Sequence, residues 1–218
     1  RDACGIGFVA RIDGKPDREI IDLLLEGLCR VRHRGSASTD PKAGDGAGLL
    51  LPIPRSLTPG PDEGIAMVFS RNQNTRQIIE NACREEGIEP LGWRIVPTEF
   101  SVLETKSAEN APAIEQLILS RPAGADEQEA EWAAYRARRR AELDSNVYIA
   151  SLSFRLVNYK ALCAADQLGH FYLDLTDPRF KTSHGIFHQR FSTNTTPSWE
   201  RAQPFRMLCH NGEINTVR

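Results

Sequence analysis

Short apolar runs joined by brief, turn-rich connections set the tightest constraint on what this chain can fold into. Ile6, Phe8 and Ala10 alternate with Gly5, Gly7 and Val9, the pattern of a buried strand, with Cys4 standing at its start. Pro16 and Asp17 then open a helix whose apolar residues Ile20, Leu24, Leu28 and Val31 recur at helical spacing, widened by Ile21 and Leu25. From Arg32 to Gly48 the glycines Gly35, Gly44, Gly46 and Gly48 read as a turn returning to a second strand over residues 49–53. Connections this short predict an antiparallel or mixed sheet, because parallel neighbours need a long crossover.

The pattern continues downstream. Pro52, Pro54, Pro59 and Pro61 mark a loop, and Ile65, Met67 and Phe69 alternate as a further strand. Asn72 or Asn74 caps a helix that runs to about Glu86 and stops at Gly87, and residues 93–96 read as a strand. No element is assigned over residues 97–126. Residues 127–143 are rich in Ala, Glu and Arg, with Arg136, Arg138, Arg139 and Arg140 forming a basic cluster. Because Glu127, Glu129 and Glu131 precede it and only Tyr135 interleaves, that cluster reads as a solvated helix face rather than a nucleic-acid site. Residues 147–157 are β-rich, 159–168 predict a short helix, 185–191 a strand, and 214–218 the middle of an element that continues.

With 218 residues, 40% of them hydrophobic, the chain has room for one large domain or two small ones around a substantial core. A formal charge of −2, from 27 basic and 29 acidic side chains, draws it to neither nucleic acid nor a membrane surface, so the expected partner is a small molecule. No run approaches the apolar length of a membrane span, and the first residues lack the basic-then-apolar pattern of a secretion signal. Cys4, Cys29, Cys83, Cys163 and Cys209 are scattered and without CxxC spacing, which predicts a reducing, cytoplasmic setting and no disulfide framework. His184 and His188, with Cys209 and His210, offer zinc-ligand residue types, but the motif around them has a better use.

That use is amide chemistry. An N-terminal cysteine can employ its own α-amine, of intrinsic pKa about 8, as general base. Cys4 would have that amine only after removal of Arg1-Asp2-Ala3; the bland alternative is a small buried hydrophobe. Arg190 lies among Gln, Ser, Thr and Asn neighbours, which suits a guanidinium fork on a substrate carboxylate, with Thr193 and Asn194 adding donors; the alternative is an arginine paired to an acidic neighbour. Asn211-Gly212 supplies a side-chain amide beside a closely approachable backbone N–H, as an oxyanion hole requires, or else a hairpin turn.

Cys4-Gly5-Ile6-Gly7-Phe8, Arg32-His33-Arg34-Gly35, Gly44-Asp45-Gly46-Ala47-Gly48, the run from His188 to Thr195, Gln203-Pro204-Phe205-Arg206 and the run from His210 to Thr216 follow one another in an order that resembles the class II glutamine amidotransferase domain of the glutamate synthase large subunit. The resemblance implies an α+β fold, the four-layer αββα sandwich of N-terminal-nucleophile hydrolases, with residues 1–3 a short propeptide remnant and 4–218 an incomplete amidotransferase domain. It implies Cys4 as nucleophile, Asn211 and Gly212 as oxyanion donors, Arg190, Thr193 and Asn194 on the substrate carboxylate, and Arg34 shaping the pocket. The family's aspartate for the substrate ammonium falls further along than Arg218. The segment itself would use no cofactor, while FMN and an iron–sulfur cluster are implied for the full enzyme. Implied partners are glutamine, the downstream synthase domains, and either an NAD(P)H-oxidising small subunit or ferredoxin. The alternatives are another amidase of the same fold class or a truncated, non-catalytic remnant.

Overall fold

Alternating apolar patterns in this chain resolve into strands that pair only with antiparallel neighbours wherever register is defined, in a computed structural model that describes residues 4–35, 43–58, 60–192 and 195–206. In chain order the elements are β1 (Gly5–Ala10), α1 (Arg18–Arg30), β2 (Ala47–Pro52), β3 (Gly64–Ser70), α2 (Thr75–Glu85), β4 (Glu89–Ile95), α3 (Thr105–Glu109), β5 (Ala113–Ser120), α4 (Glu127–Ala141), β6 (Tyr148–Ser153), β7 (Leu156–Ala161), α5 (Leu168–Phe171) and β8 (His184–Gln189). They form two four-stranded sheets, ordered β1-β8-β2-β7 and β4-β5-β3-β6, in two compact units. Each sheet carries its own helices. Two antiparallel sheets, each with helices of its own, agree with the expected α+β class. No helix among the described residues is long and apolar enough to cross a membrane.

In the first unit, β8 lies between β1 and β2, with Gly5 opposite Gln189 and Gln189 opposite Ala47. Helix α1 starts where Asp17 accepts the Glu19 N–H, and it buries Ile20, Ile21, Leu24 and Leu28, the stripe that its spacing predicts. Strand β1 is not fully buried, as its apolar alternation suggested. It is the edge strand of its sheet, and Phe8 is 76% exposed.

Residues 159–161 are strand, not helix. Asn158, Tyr159 and Lys160 of β7 are all fully buried, and helical structure begins only with a 3₁₀ turn at Ala165–Gln167 and the single turn of α5. Polar residues disguise this strand, and it can hold them because they are hydrogen-bonded internally: the Tyr159 hydroxyl donates to Asp174 Oδ2 at 2.7 Å, and the Tyr172 hydroxyl donates to the Lys160 carbonyl at 2.6 Å.

In the second unit β5 sits between β4 and β3, although no element was expected over residues 97–126. Glu115 and Gln116 interrupt its apolar alternation, yet both are buried. Glu115 pairs with Arg76 of α2, and Gln116 Oε1 accepts from Arg94 of β4 at 2.7 Å. Asn72 rather than Asn74 supplies the side chain that starts α2, accepting from the Asn74 N–H at 3.0 Å and the Thr75 hydroxyl at 3.1 Å. Helix α4 opens with a capping box between Asp126 and Glu129 and buries Ala130, Ala133, Ala134, Ala137 and Ala141. Small side chains let this helix approach Ile79 and Cys83 of α2 and Leu152 of β6 in one core. Its basic face is solvated as expected, with Arg136 and Arg140 on Glu86.

Candidate active site

The antiparallel register of β1 on β8 decides what lies beside Cys4. Because Gly5 faces Gln189, the residue before the strand meets the residues that follow β8. Cys4 is buried, its Sγ accepting the Phe191 N–H at 3.5 Å. Gly5 allows the next contact: a Cβ there would lie 2.6 Å from Val31 Cβ and 3.2 Å from Arg34 Cβ, so only glycine lets the 3₁₀ turn Arg32–Arg34 press against the strand start. Arg34 is thereby brought next to the neighbour of Cys4.

The other described thiols are poorly suited to attack. Burial pushes Cys83 up to about 12 and Cys163 higher still, and burial also raises Cys29. A thiol so perturbed is protonated near neutrality and is a weak nucleophile. Cys209 lies outside the described residues.

Arg190 follows β8 directly and is 2% exposed. Its backbone N–H donates to the Gly46 carbonyl at 2.8 Å, Nη1 to the Asp45 carbonyl at 3.4 Å, and Nη2 to Thr195 Oγ1 at 2.7 Å. Burial draws the guanidinium pKa down, opposed by the charge of Asp45. Asp45 is the acidic neighbour of the bland alternative, but its Oδ2 accepts the Ser192 N–H at 2.6 Å instead of the guanidinium. Among the described residues no carboxylate lies within ion-pair distance of Arg190. A buried guanidinium held only by neutral acceptors keeps its charge for a ligand.

The glycines of the Gly44–Gly48 motif form a floor. Gly46 has φ +122, and a Cβ there would lie 2.7 Å from Ala202 Cβ; on Gly48 it would lie 2.6 Å from the Gln203 carbonyl oxygen. Side chains at either position would lift the 202–204 segment off β2.

Of the residues expected to act, Cys4, Arg34 and Arg190 come together in the first unit. Thr193, Asn194, Asn211 and Gly212 lie outside the described residues, as do Cys209 and His210 of the conceivable zinc set. Among the described residues no three His, Cys, Asp or Glu side chains gather to hold a metal ion. Sequence reasoning assigned no role to Asp45, although its motif was noted, nor to Ser192 and Thr195, which the guanidinium turn uses. The signal available was their spacing around Arg190, two and five positions on.

Residues 4–218 match the family model described as glutamine amidotransferases class-II. All of the chain aligns, at 40% identity over 236 residues, with 15% of a ferredoxin-dependent glutamate synthase 2 of Synechocystis. It aligns likewise, at 40% over 240 residues, with 16% of a glutamate synthase (NADPH) large chain of Azospirillum brasilense. A chloroplastic ferredoxin-dependent glutamate synthase of Oryza sativa subsp. japonica is 36% identical over 242 residues, again covering all of this chain and 15% of that protein. The chain therefore spans about 15% of the length of these curated relatives. With the family model covering all but its first three residues, the chain belongs to the class-II glutamine amidotransferases.

Proposed function

We propose that this chain carries out the glutaminase half-reaction of a glutamate synthase, releasing ammonia from glutamine through a cysteinyl thioester. The observation that carries this reading is the placement, in one buried corner, of the Cys4 thiol beside the turn that carries the Arg190 guanidinium, which no described carboxylate meets in an ion pair.

The chemistry follows from the residues. Once residues 1–3 are removed, the α-amine of Cys4 takes the thiol proton, and the thiolate attacks the carbon of the substrate side-chain amide. The Asn211 amide and the Gly212 N–H donate to the tetrahedral oxyanion. The α-amine returns the proton to the departing ammonia, leaving a thioester. Water, deprotonated by the same amine, attacks that thioester and releases glutamate and the thiol. Arg190, with Thr193 and Asn194, holds the α-carboxylate at a fixed distance from Sγ, and Arg34 closes the pocket wall beside Gly5.

In the full-length protein the ammonia aminates 2-oxoglutarate, with electrons from ferredoxin or an NAD(P)H-oxidising small subunit; the relatives' names support both donors. The FMN and iron–sulfur cluster of that step are assigned by this reading to other parts of the full-length protein. The scattered free thiols suit a cytoplasmic setting. The test is ammonia release from glutamine by the full-length protein and its Cys4→Ala variant. Complete dependence on Cys4 and no turnover of simple aliphatic amides are expected; undiminished turnover by Cys4→Ala would remove the mechanism.

A further inference from the structure

We propose that Lys160 and Asn158 of β7 are positioning residues that clamp the segment leading to Asn211-Gly212 and so set the place of the oxyanion donors; this rests on the oxyanion reading above. The clamp is built from three backbone carbonyls. Lys160, fully buried, donates from Nζ to the carbonyls of Glu200 at 2.8 Å and Ala202 at 2.7 Å, and stands 4.7 Å from the centroid of the Phe205 ring. Asn158, two residues earlier and so on the same face of the strand, donates from Nδ2 to the Pro204 carbonyl at 2.5 Å. Carbonyls 200, 202 and 204 are thus each taken by a side chain from one strand.

The floor beneath the segment fits the same purpose. Gly48 on β2 leaves room for the Gln203 carbonyl and the Pro204 ring, and a Cβ there would also lie 2.7 Å from Lys160 Cβ. Lys160 therefore rises beside Gly48, and the segment lies across both. Burying an ammonium is costly unless every donor direction is used, so a lysine here is a demanding way to fasten a loop. It supplies in return two charge-assisted bonds to neighbouring carbonyls plus a cation–π contact, a stiffer hold than neutral donors offer.

Position in the sheet connects this hold to the chemistry. The strand order β1-β8-β2-β7 puts Cys4 at the start of the first strand, Arg190 at the end of the second, Gly48 on the third and Lys160 on the fourth. One rigid sheet thus carries the candidate nucleophile and carboxylate ligand on one side and anchors, on the other, the segment whose continuation reaches Asn211 five residues after Arg206. Donors to a transition-state oxyanion must be held to about half an ångström, so a firm hold on residues 200–204 bears on donors that follow this closely in sequence.

The experiment compares Lys160→Met, Asn158→Ala, Asn211→Ala and the double variant Lys160→Met/Asn211→Ala in the full-length protein. Glutamine hydrolysis is measured alongside iodoacetamide alkylation of Cys4, followed by peptide mass. For Lys160→Met a fall in kcat on the order of 10- to 100-fold is expected, with KM and the Cys4 alkylation rate within about threefold of the parent. In the Asn211→Ala background the same substitution should cost less than about threefold more, because the two act through one group. Parent-like kcat, or full additivity in the double variant, overturns the clamp. If Lys160→Met does not melt cooperatively, Asn158→Ala decides by the same split between kcat and KM. Asn211→Ala alone reports on the oxyanion reading: parent-like kcat there defeats that reading, whereas a damaged Asn211→Ala beside an unaffected Lys160→Met defeats only the clamp.

Discussion

Arg190 and Asp45 are joined through the backbone of one and the side chain of the other, and their charged groups do not meet. Arg190 Nη1 donates to the Asp45 carbonyl at 3.4 Å, while the Asp45 carboxylate accepts the Ser192 N–H at 2.6 Å. The acid thus shapes the turn after β8 and acts on the guanidinium through its nearby charge, not as a direct ion pair, which favours an anionic ligand at the guanidinium over a structural ion pair.

Replacing Arg190 by lysine keeps the charge and removes the planar fork. Losing one charge-assisted bond of this kind costs about 1.5–3 kcal/mol, so KM for glutamine should rise by roughly 10- to 100-fold while kcat changes only a few-fold. Steady-state kinetics on the full-length protein separates the two terms. A fall in kcat with KM unchanged would place Arg190 in the chemical step and not in substrate binding.

Removing the Asn211 amide takes away a donor aimed at charge that develops only in the transition state. Asn211→Ala should lower kcat by about 10²–10³ with a smaller change in KM. Near-parent kcat would leave Asn211-Gly212 as a turn and nothing more.

The α-amine required of Cys4 predicts cleavage between Ala3 and Cys4. Intact-mass measurement of the full-length protein should show that Arg1, Asp2 and Ala3 are missing from the active form. Full glutaminase activity with the three residues still attached would refute a role for the α-amine.

How much of this was legible beforehand depended on whether a residue's neighbours were local. Helix α1 was readable because its stripe, Ile20, Leu24 and Leu28, and its cap, Asp17, lie within one short segment. Strand β5 was not, because Glu115 and Gln116 break its alternation and find partners on Arg76 and Arg94, 39 and 22 residues away. β7 failed for the same reason: Asn158 and Lys160 look like surface residues until carbonyls 46 and more than 40 positions downstream cover them. The site divides likewise. Cys4 and Arg190 announce themselves by motif, whereas Asp45 acts through a backbone N–H 147 residues on, a relation that no local pattern carries.

The end of α2 offers a prediction about pH. Burial alone would push the Glu86 carboxyl up, but hydrogen bonds from Arg136, at 2.6 Å, and Arg140, at 3.0 Å, outweigh it and hold the group below its ordinary range. A folded pKa lower than the unfolded one means that the stabilisation is complete above the unfolded value, about 4.3, and disappears as pH falls through the folded value. Glu86 ties the last turn of α2 to α4, whose alanine face is closely packed, so losing the tie should loosen both helices. Glu86→Gln removes the charge and keeps the shape. At pH 7 it should cost about 0.5–1 kcal/mol, a lowering of Tm of about 1–4 °C. At an acid pH well below the ordinary carboxylate range, once the parent carboxyl has itself been protonated, the difference should shrink towards zero. Melts of parent and variant side by side at the two pH values provide the check; an equal gap at both would show that Glu86 acts through packing and not through its charge.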